Sequence, residues 1–187
     1  MNEMICDYKP DYEIIGGVKV MSPAPSLNHG SIIMRLSRIF VNYIIANDLQ
    51  AAVFGDNTDV YFSDEYHFKP DLNVVCNAEI VKNRKTILGA PDLIVEVLST
   101  STMKNDISIK KDVYEKYGVK EYWIVNPWAQ SVEVYHLIDG KFKLDEVYHA
   151  KPNDDNMDYE TKSNIKVSIF KDLIVDIKSI FKWWFDE

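Results

Sequence analysis

Two short segments of this sequence are apolar at almost every position, and they restrict the possible folds more than any other feature. They are residues 72–75, inside a predicted strand 71–76, and residues 93–98. A strand with one face in water alternates apolar and polar residues, whereas a strand covered on both faces has no need to. We therefore expect both segments to be central strands of a sheet, with other elements packed on each face.

The other elements follow from turn residues and hydrophobic spacing. Residues 12–21 predict a hairpin that turns at Gly16-Gly17, because glycine accepts the positive φ of a tight turn. Residues 28–47 carry an apolar stripe at helical spacing, which predicts a helix. Further strands are predicted at residues 51–54, 58–62, 122–126, 132–137 and 142–147.

A second helix determines the direction of two neighbouring strands. It should begin at Asn105 or Asp106 and end at Gly118, since these residue types favour helix ends. It connects strand 93–98 to strand 122–126, and such a unit makes its two strands parallel. The sequence thus predicts an α/β fold with a mixed central sheet flanked by helices. An N-terminal hairpin and a C-terminal antiparallel meander complete it.

Composition limits the class of protein. With 187 residues, of which 47% are hydrophobic, the chain suits one domain covering residues 1–187. No stretch reaches the roughly 18 apolar residues of a spanning helix, so we expect a cytoplasmic protein without a membrane partner. Two cysteines and four scattered histidines form neither a disulfide framework nor a zinc motif. The formal net charge of -8 counts against a broad basic surface for a polyanion.

An ionisable residue, Glu96, interrupts the apolar segment 93–98. A buried carboxylate needs a cation, a metal ion or a hydrogen-bond network to offset its loss of hydration. Asp71 begins the other predicted central strand, directly after Pro70. If the two strands are neighbours, about 4.8 Å apart, both carboxylates can reach one hard cation. The alternatives are an outward-facing or arginine-paired Glu96 and an Asp71 that only starts a strand.

The second predicted helix carries a lysine on its apolar face. Lys110 shares helical spacing with Ile107 and Tyr117, so it should face inward. Asp106 and Tyr114 lie four residues away on either side and share that face. Such a lysine could orient a water molecule or neutralise charge on a phosphate beyond the strand end. Alternatively, it extends to solvent or pairs with Asp106 along the helix.

Two weaker candidates lie near the start of the chain. Glu13 belongs to the predicted hairpin, and His29 to the first turn of the first helix. Residues of these types more often form caps or surface contacts than metal ligands. We therefore treat both as auxiliary candidates.

Several motifs occur in a fixed order between residues 12 and 137. They are residues 13–17, 21–23, His29, 70–72, 89–99, Asp106, Lys110, Tyr114, 118–119, 121–125 and Pro127. As an ordered set they resemble the Uma-type family of restriction endonucleases. Any one of these motifs is weak, whereas the set is specific.

The resemblance implies a restriction-endonuclease-like PD-(D/E)XK fold, with Asp71 and Glu96 as the two acidic metal ligands. The superfamily's usual lysine would fall at Leu98 and is absent. In this family the following helix is thought to supply the lysine, which points to Lys110. The implied activity is hydrolysis of nucleic-acid phosphodiester bonds, with DNA as the expected substrate. The expected cofactor is Mg²⁺ or Mn²⁺, held by Asp71, Glu96 and the Val97 carbonyl.

Two other functions are compatible with the same residues. A catalytically silent, nuclease-derived domain could act in protein interaction or oligomer assembly, which suits the acidic composition. Glu96 and Lys110 could also form a purely structural buried ion pair without a metal ion. For the enzyme we expect a homodimer, because two active sites suit the cleavage of two strands.

Overall fold

The computed structural model describes residues 12–21, 26–82, 84–99, 106–151 and 162–182. Its central sheet has six strands, and both strongly apolar segments lie inside it. From edge to edge the strands are β12 (Lys141–His149), β11 (Ser131–Ile138), β10 (Glu121–Asn126), β9 (Leu93–Val97), β6 (Leu72–Val75) and β3 (Ala52–Gly55). Every residue of β6 and β9 is buried, which confirms the prediction of two central strands.

The strand directions also agree with the prediction. β9 and β10 are parallel, while the other neighbouring pairs in this sheet are antiparallel. β10, β11 and β12 form the predicted C-terminal meander at one edge. The structure is therefore the expected α/β fold with a mixed central sheet.

A second six-stranded sheet was not predicted. Its order is β2 (Val18–Met21), β1 (Tyr12–Ile15), β5 (Tyr66–Phe68), β4 (Asp59–Ser63), β8 (Thr86–Leu88) and β7 (Val81–Lys82). The hairpin of β1 and β2 turns at Gly16 and Gly17, which have φ of 59° and 78° as expected. β5, β7 and β8 have only two or three residues, too few for alternation to show in the sequence.

Helix α1 (Leu27–Ala46) covers one face of the central sheet, close to the predicted bounds. The side chain of Ser26 caps it by accepting a hydrogen bond from the His29 amide. Its buried stripe packs on the sheet, where Phe40 lies 5.8 Å from the Trp123 ring, centroid to centroid. Strands β13 (Asn164–Lys166) and β14 (Ile174–Asp176) and helix α3 (Ile177–Phe181) contribute to the same core.

The other face of the central sheet packs against helix α2 (Lys111–Tyr117) and the second sheet. A π-helical turn, Asp106–Lys110, precedes α2, so regular α-helical bonding begins later than predicted. Asn105, the other predicted start, lies outside the described residues. Gly118 ends the helix with φ 89°, as expected for a left-handed terminator. Among the helices within the described ranges, none is long and apolar enough to cross a membrane.

Candidate active site

Glu96 lies in the middle of β9 and points toward α2, into the space between the two sheets. It is 2% exposed, and its Oε1 atom accepts hydrogen bonds from two residues of the following helix. The Lys110 ammonium donates at 3.1 Å and the Tyr114 hydroxyl at 2.6 Å. The inward orientation predicted for Glu96 and Lys110 is therefore confirmed. The outward-facing alternatives for both residues are wrong.

Glu13 of β1 reaches the same lysine from the second sheet. Its Oε1 atom lies 3.0 Å from Lys110 Nζ and accepts a 2.7 Å hydrogen bond from the Lys69 amide. Lys110 thus bridges two buried carboxylates, with its own side chain only 4% exposed. The Lys69 contact also ties the hairpin to the segment that leads into Asp71.

Asp71 lies beside the backbone of Glu96 and Val97. The antiparallel register pairs Leu72 with Val95, and continuing it by one residue places Asp71 opposite Glu96. The Asp71 Oδ2 atom accepts a 2.7 Å hydrogen bond from the Val97 amide. β6 and β9 are thus neighbouring strands, which is the condition stated above for Asp71 and Glu96 to reach one cation.

His29 approaches Asp71 from the first turn of α1. Its Nε2 atom lies 3.1 Å from Asp71 Oδ2, the oxygen that also accepts from the Val97 amide. Both of these contacts end on one oxygen, which leaves Oδ1 as the atom better placed for a further ligand. The side chains of Asp71 and His29 are 17% and 11% exposed, more than those of Glu13, Glu96 and Lys110. The Asp71 side of the cluster is therefore the more accessible to solvent.

Electrostatics in this region favour a cation. Burial lowers the pKa of His29, but the hydrogen bond and charge of Asp71 outweigh it and raise this pKa above its ordinary value. Burial and the charge of Glu96 raise the pKa of Tyr114, so its hydroxyl stays a proton donor. Among the contacts described, the carboxylates of Asp71, Glu96 and Glu13 lie beside one lysine and one histidine, a formal excess of negative charge. A divalent cation would compensate it.

The structure brings together most of the candidate residues. Glu13, Lys110, Glu96 and Tyr114 form one connected set of contacts, and His29, Asp71 and the Val97 amide form a second set beside it, next to Glu96 in the chain. Asp106 starts the helical turn that carries Lys110, but its side chain lies outside the described residues. Within the described ranges, no group of three or more His, Cys, Asp or Glu side chains has the geometry of a metal site. A two-carboxylate site completed by a carbonyl and water does not require such a group.

Sequence reasoning missed two features of this region. The Lys69 amide that fixes Glu13 gives no signal in the sequence, because any residue except proline supplies one. The proximity of Glu13 and Lys110 depends on the unpredicted pairing of β1 with β5. The buried Glu96–Lys110 ion pair of the structural alternative is present as well.

Comparisons with known proteins identify the family and the fold of this chain. Residues 3–160 match the Uma2 family, described as "Putative restriction endonuclease". Two Synechocystis proteins described as uncharacterized, slr1290 and sll1609, are 30% and 28% identical over 115 and 129 residues. These matches cover 61% and 67% of this chain, and 60% and 72% of the respective relatives.

A solved structure shares the fold. The crystal structure described as a putative nuclease belonging to DUF820, from Anabaena variabilis, superposes with a TM-score of 0.70 at 22% identity. The superposition covers 92% of this chain and 90% of that one. Because the family match extends over most of the sequence and includes the Asp71 and Glu96 region, this chain belongs to the Uma2 family of restriction-endonuclease-like proteins.

Proposed function

We propose that this protein is a metal-dependent endonuclease that hydrolyses phosphodiester bonds of nucleic acid, with DNA as the substrate. Asp71, Glu96 and the Val97 carbonyl would hold Mg²⁺ or Mn²⁺. One observation carries the proposal: the Asp71 carboxylate bonds to the Val97 amide, one residue from a buried glutamate on the neighbouring strand. Family membership supports the nuclease class.

Backbone geometry supports Val97 as the third ligand. The amide and carbonyl of one residue in an extended strand point to the same side of that strand. The Val97 amide points to Asp71, so the Val97 carbonyl also points toward Asp71. Carboxylate and carbonyl oxygens are hard ligands of the kind that Mg²⁺ and Mn²⁺ prefer.

The bound cation would polarise the phosphate and lower the pKa of an attacking water molecule. Lys110 has a different role, because its ammonium can orient that water or stabilise the charge that develops on the phosphate. Glu13 and Tyr114 fix the positions of Lys110 and Glu96 through their hydrogen bonds. His29 holds Asp71 through Oδ2. Asp106, at the start of the turn that carries Lys110, is a further auxiliary candidate.

Cleavage of supercoiled plasmid, single-stranded DNA and RNA in Mg²⁺ or Mn²⁺ tests the proposal. Asp71→Asn and Glu96→Gln should each lower the cleavage rate by about 100-fold or more, the usual effect of losing one group that stabilises developing charge. Asp112→Asn, on the exposed side of α2, is the matched control and should cut like wild type. Metal-dependent cleavage that survives both site substitutions would refute the assignment.

The silent, partner-binding domain remains the second candidate, and the net charge of -8 favours it. The cleavage assay separates this candidate from a nuclease, and calorimetric titration with Mn²⁺ separates a metal site from a Glu96–Lys110 pair that is only structural. A nuclease should bind the ion and lose that binding in Asp71→Asn. A domain with only a structural Glu96–Lys110 pair should bind none and should cut none of the three substrates.

A further inference from the structure

The turn between β7 and β8 concentrates positive charge in an acidic protein. Three of the four residues at 82–85 are basic, namely Lys82, Arg84 and Lys85. All three side chains are exposed, and no salt bridge joins any of them to another residue within the described ranges. Over the whole chain, acidic residues outnumber basic ones 29 to 21. This concentration of cations is therefore a local feature, and we call these three residues the basic turn.

The backbone of the basic turn does not itself require so much charge. The Lys85 amide donates a 3.0 Å hydrogen bond to the Lys82 carbonyl, which closes a two-residue hairpin loop. Arg84 has φ 54°, a left-handed conformation that glycine or asparagine adopts at lower cost. Glycine would suit this position better, so the fold of the turn does not explain the arginine. Its charge is the property that remains.

The strand register places the basic turn at the end of the second sheet from which the chain leads to Asp71. Lys82 pairs with Thr86, and Thr86 pairs with Asp59. Continuing the register of β4 and β5 by one residue places Asp59 opposite Lys69, and Lys69 Nζ lies 3.8 Å from Asp59 Oδ1. Because Lys69 precedes Asp71 by two residues, the basic turn and the candidate site share this end of the sheet.

The order of the strands gives the separation between the basic turn and the candidate site. One strand, β4, lies between β5 and β8, and β7 is one strand further. At about 4.8 Å per strand, the basic turn lies about 10–14 Å across the sheet from the segment that leads to Asp71. One strand of duplex DNA advances about 3.4 Å per nucleotide along its axis. The separation thus corresponds to about three or four nucleotides.

We propose that the basic turn binds the phosphate backbone of substrate DNA, about three or four nucleotides from the cleaved bond. This inference deepens the proposed function and rests on it. The carboxylates of the candidate site would repel the phosphates of an approaching duplex, so attractive charge has to lie beside the site. Contacts between exposed cations and phosphates supply affinity and fix the position of the duplex without reading its sequence.

The salt dependence of DNA binding tests this inference. Fluorescence anisotropy of a labelled duplex measures affinity in Mg²⁺, in an Asp71→Asn background so that the duplex stays intact. Each phosphate contact contributes about 0.9 to the slope of log affinity against log salt concentration. Lys82→Gln/Arg84→Gly/Lys85→Gln should therefore reduce the magnitude of the slope by about 2.7. The loss of affinity should accordingly be about 40-fold larger at 50 mM salt than at 200 mM.

The matched control removes the same charge from another part of the surface. Lys166, Lys171 and Lys178 are exposed and belong to the C-terminal segment that packs on the other face of the central sheet. Lys166→Gln/Lys171→Gln/Lys178→Gln should keep the slope of its parent. Arg84→Gly alone should reduce the slope by about 0.9. It should also unfold at the same urea concentration as wild type, because glycine readily adopts φ 54°.

Cleavage kinetics give a second measurement, with Asp71 intact. The variant of the basic turn should raise KM and leave kcat close to wild type, because these contacts are equal in the ground state and the transition state. A slope equal to that of the control variant, while Asp71→Asn still abolishes cleavage, would overturn this inference alone. Loss of binding to phosphatidylserine vesicles with an unchanged DNA slope would overturn it as well. Wild type that neither binds nor cleaves DNA would overturn the proposed function too.

Discussion

Replacing Lys110 by methionine should destabilise the protein strongly in the absence of metal. The Lys110 ammonium lies 3.0 Å from Glu13 and 3.1 Å from Glu96, and all three side chains are at most 8% exposed. Methionine fills similar space but leaves two buried carboxylates without their cation. Removing one member of a buried ion pair costs about 3–5 kcal/mol, a large part of the roughly 5–15 kcal/mol that stabilises a typical domain.

A divalent cation should restore part of this loss. Mn²⁺ held by Asp71 and Glu96 would stabilise the folded state by about 2.7 kcal/mol at a hundred times its dissociation constant. The gain should be larger in Lys110→Met than in wild type, because the lysine no longer competes for Glu96. Urea unfolding followed by circular dichroism, in EDTA and in Mn²⁺, measures both free energies. Cleavage activity should stay low in the variant, since Lys110 is a proposed catalytic group.

Lys116→Met is the matched control, because Lys116 lies on the same helix with an exposed side chain. It should change the free energy of unfolding by less than about 0.5 kcal/mol. A loss below about 1 kcal/mol for Lys110→Met in EDTA would refute the ion-pair reasoning. Equal stabilisation by Mn²⁺ in Lys110→Met and Lys116→Met would refute the competition between Lys110 and the ion, and no stabilisation in either variant would refute the metal site.

Two further predictions concern groups outside the site. Burial raises the pKa of Glu121 although Trp123 and Ser168 donate hydrogen bonds to it, so its contribution to stability is complete below about pH 4.5 and declines as pH rises. Glu121→Gln should lower the free energy of unfolding by about 1–3 kcal/mol at low pH, because the glutamine amide would face donors instead of an acceptor. In urea unfolding, the difference in free energy between wild type and variant should narrow as pH increases. A difference that widens would contradict this. Partial desolvation and the nearby Asp92 carboxylate raise the pKa of Cys76 to about 11. In a Cys6→Ser background, iodoacetamide labelling of Cys76 should stay slow at pH 8 and accelerate toward pH 11, and Asp92→Asn should shift this profile to lower pH; a profile centred near pH 8.5 would contradict it.

The sequence predicted those site residues that interrupt a regular hydrophobic pattern. Glu96 is an ionisable residue inside an apolar strand, and Lys110 occupies an apolar helical position. Each contrast indicated burial, and both residues are buried. Asp71 followed from the expectation that two fully covered strands are neighbours, which the β6 and β9 pairing confirms.

Other parts had no local signal. The second sheet depends on strands of two or three residues, whose pairing is decided by tertiary packing. Glu121 was not recognised as buried, because Ser168, which donates to it, is distant in the sequence. The contact of Glu13 with Lys110 likewise requires two sheets to be in place. Patterns within one segment cannot reveal such contacts.

The ion pairs that join Glu13, Lys110 and Glu96 also limit how early the chain can fold during its synthesis. Glu13 belongs to the opening hairpin, and Tyr114, whose hydroxyl donates to Glu96, belongs to the helix after β9. A ribosome must therefore extend the polypeptide past residue 114 before these groups can meet, and such long-range closure is slow. Nascent chains shorter than this would carry the carboxylates of Glu13 and Glu96 without Lys110 and Tyr114 in place, so the candidate site should assemble late in translation.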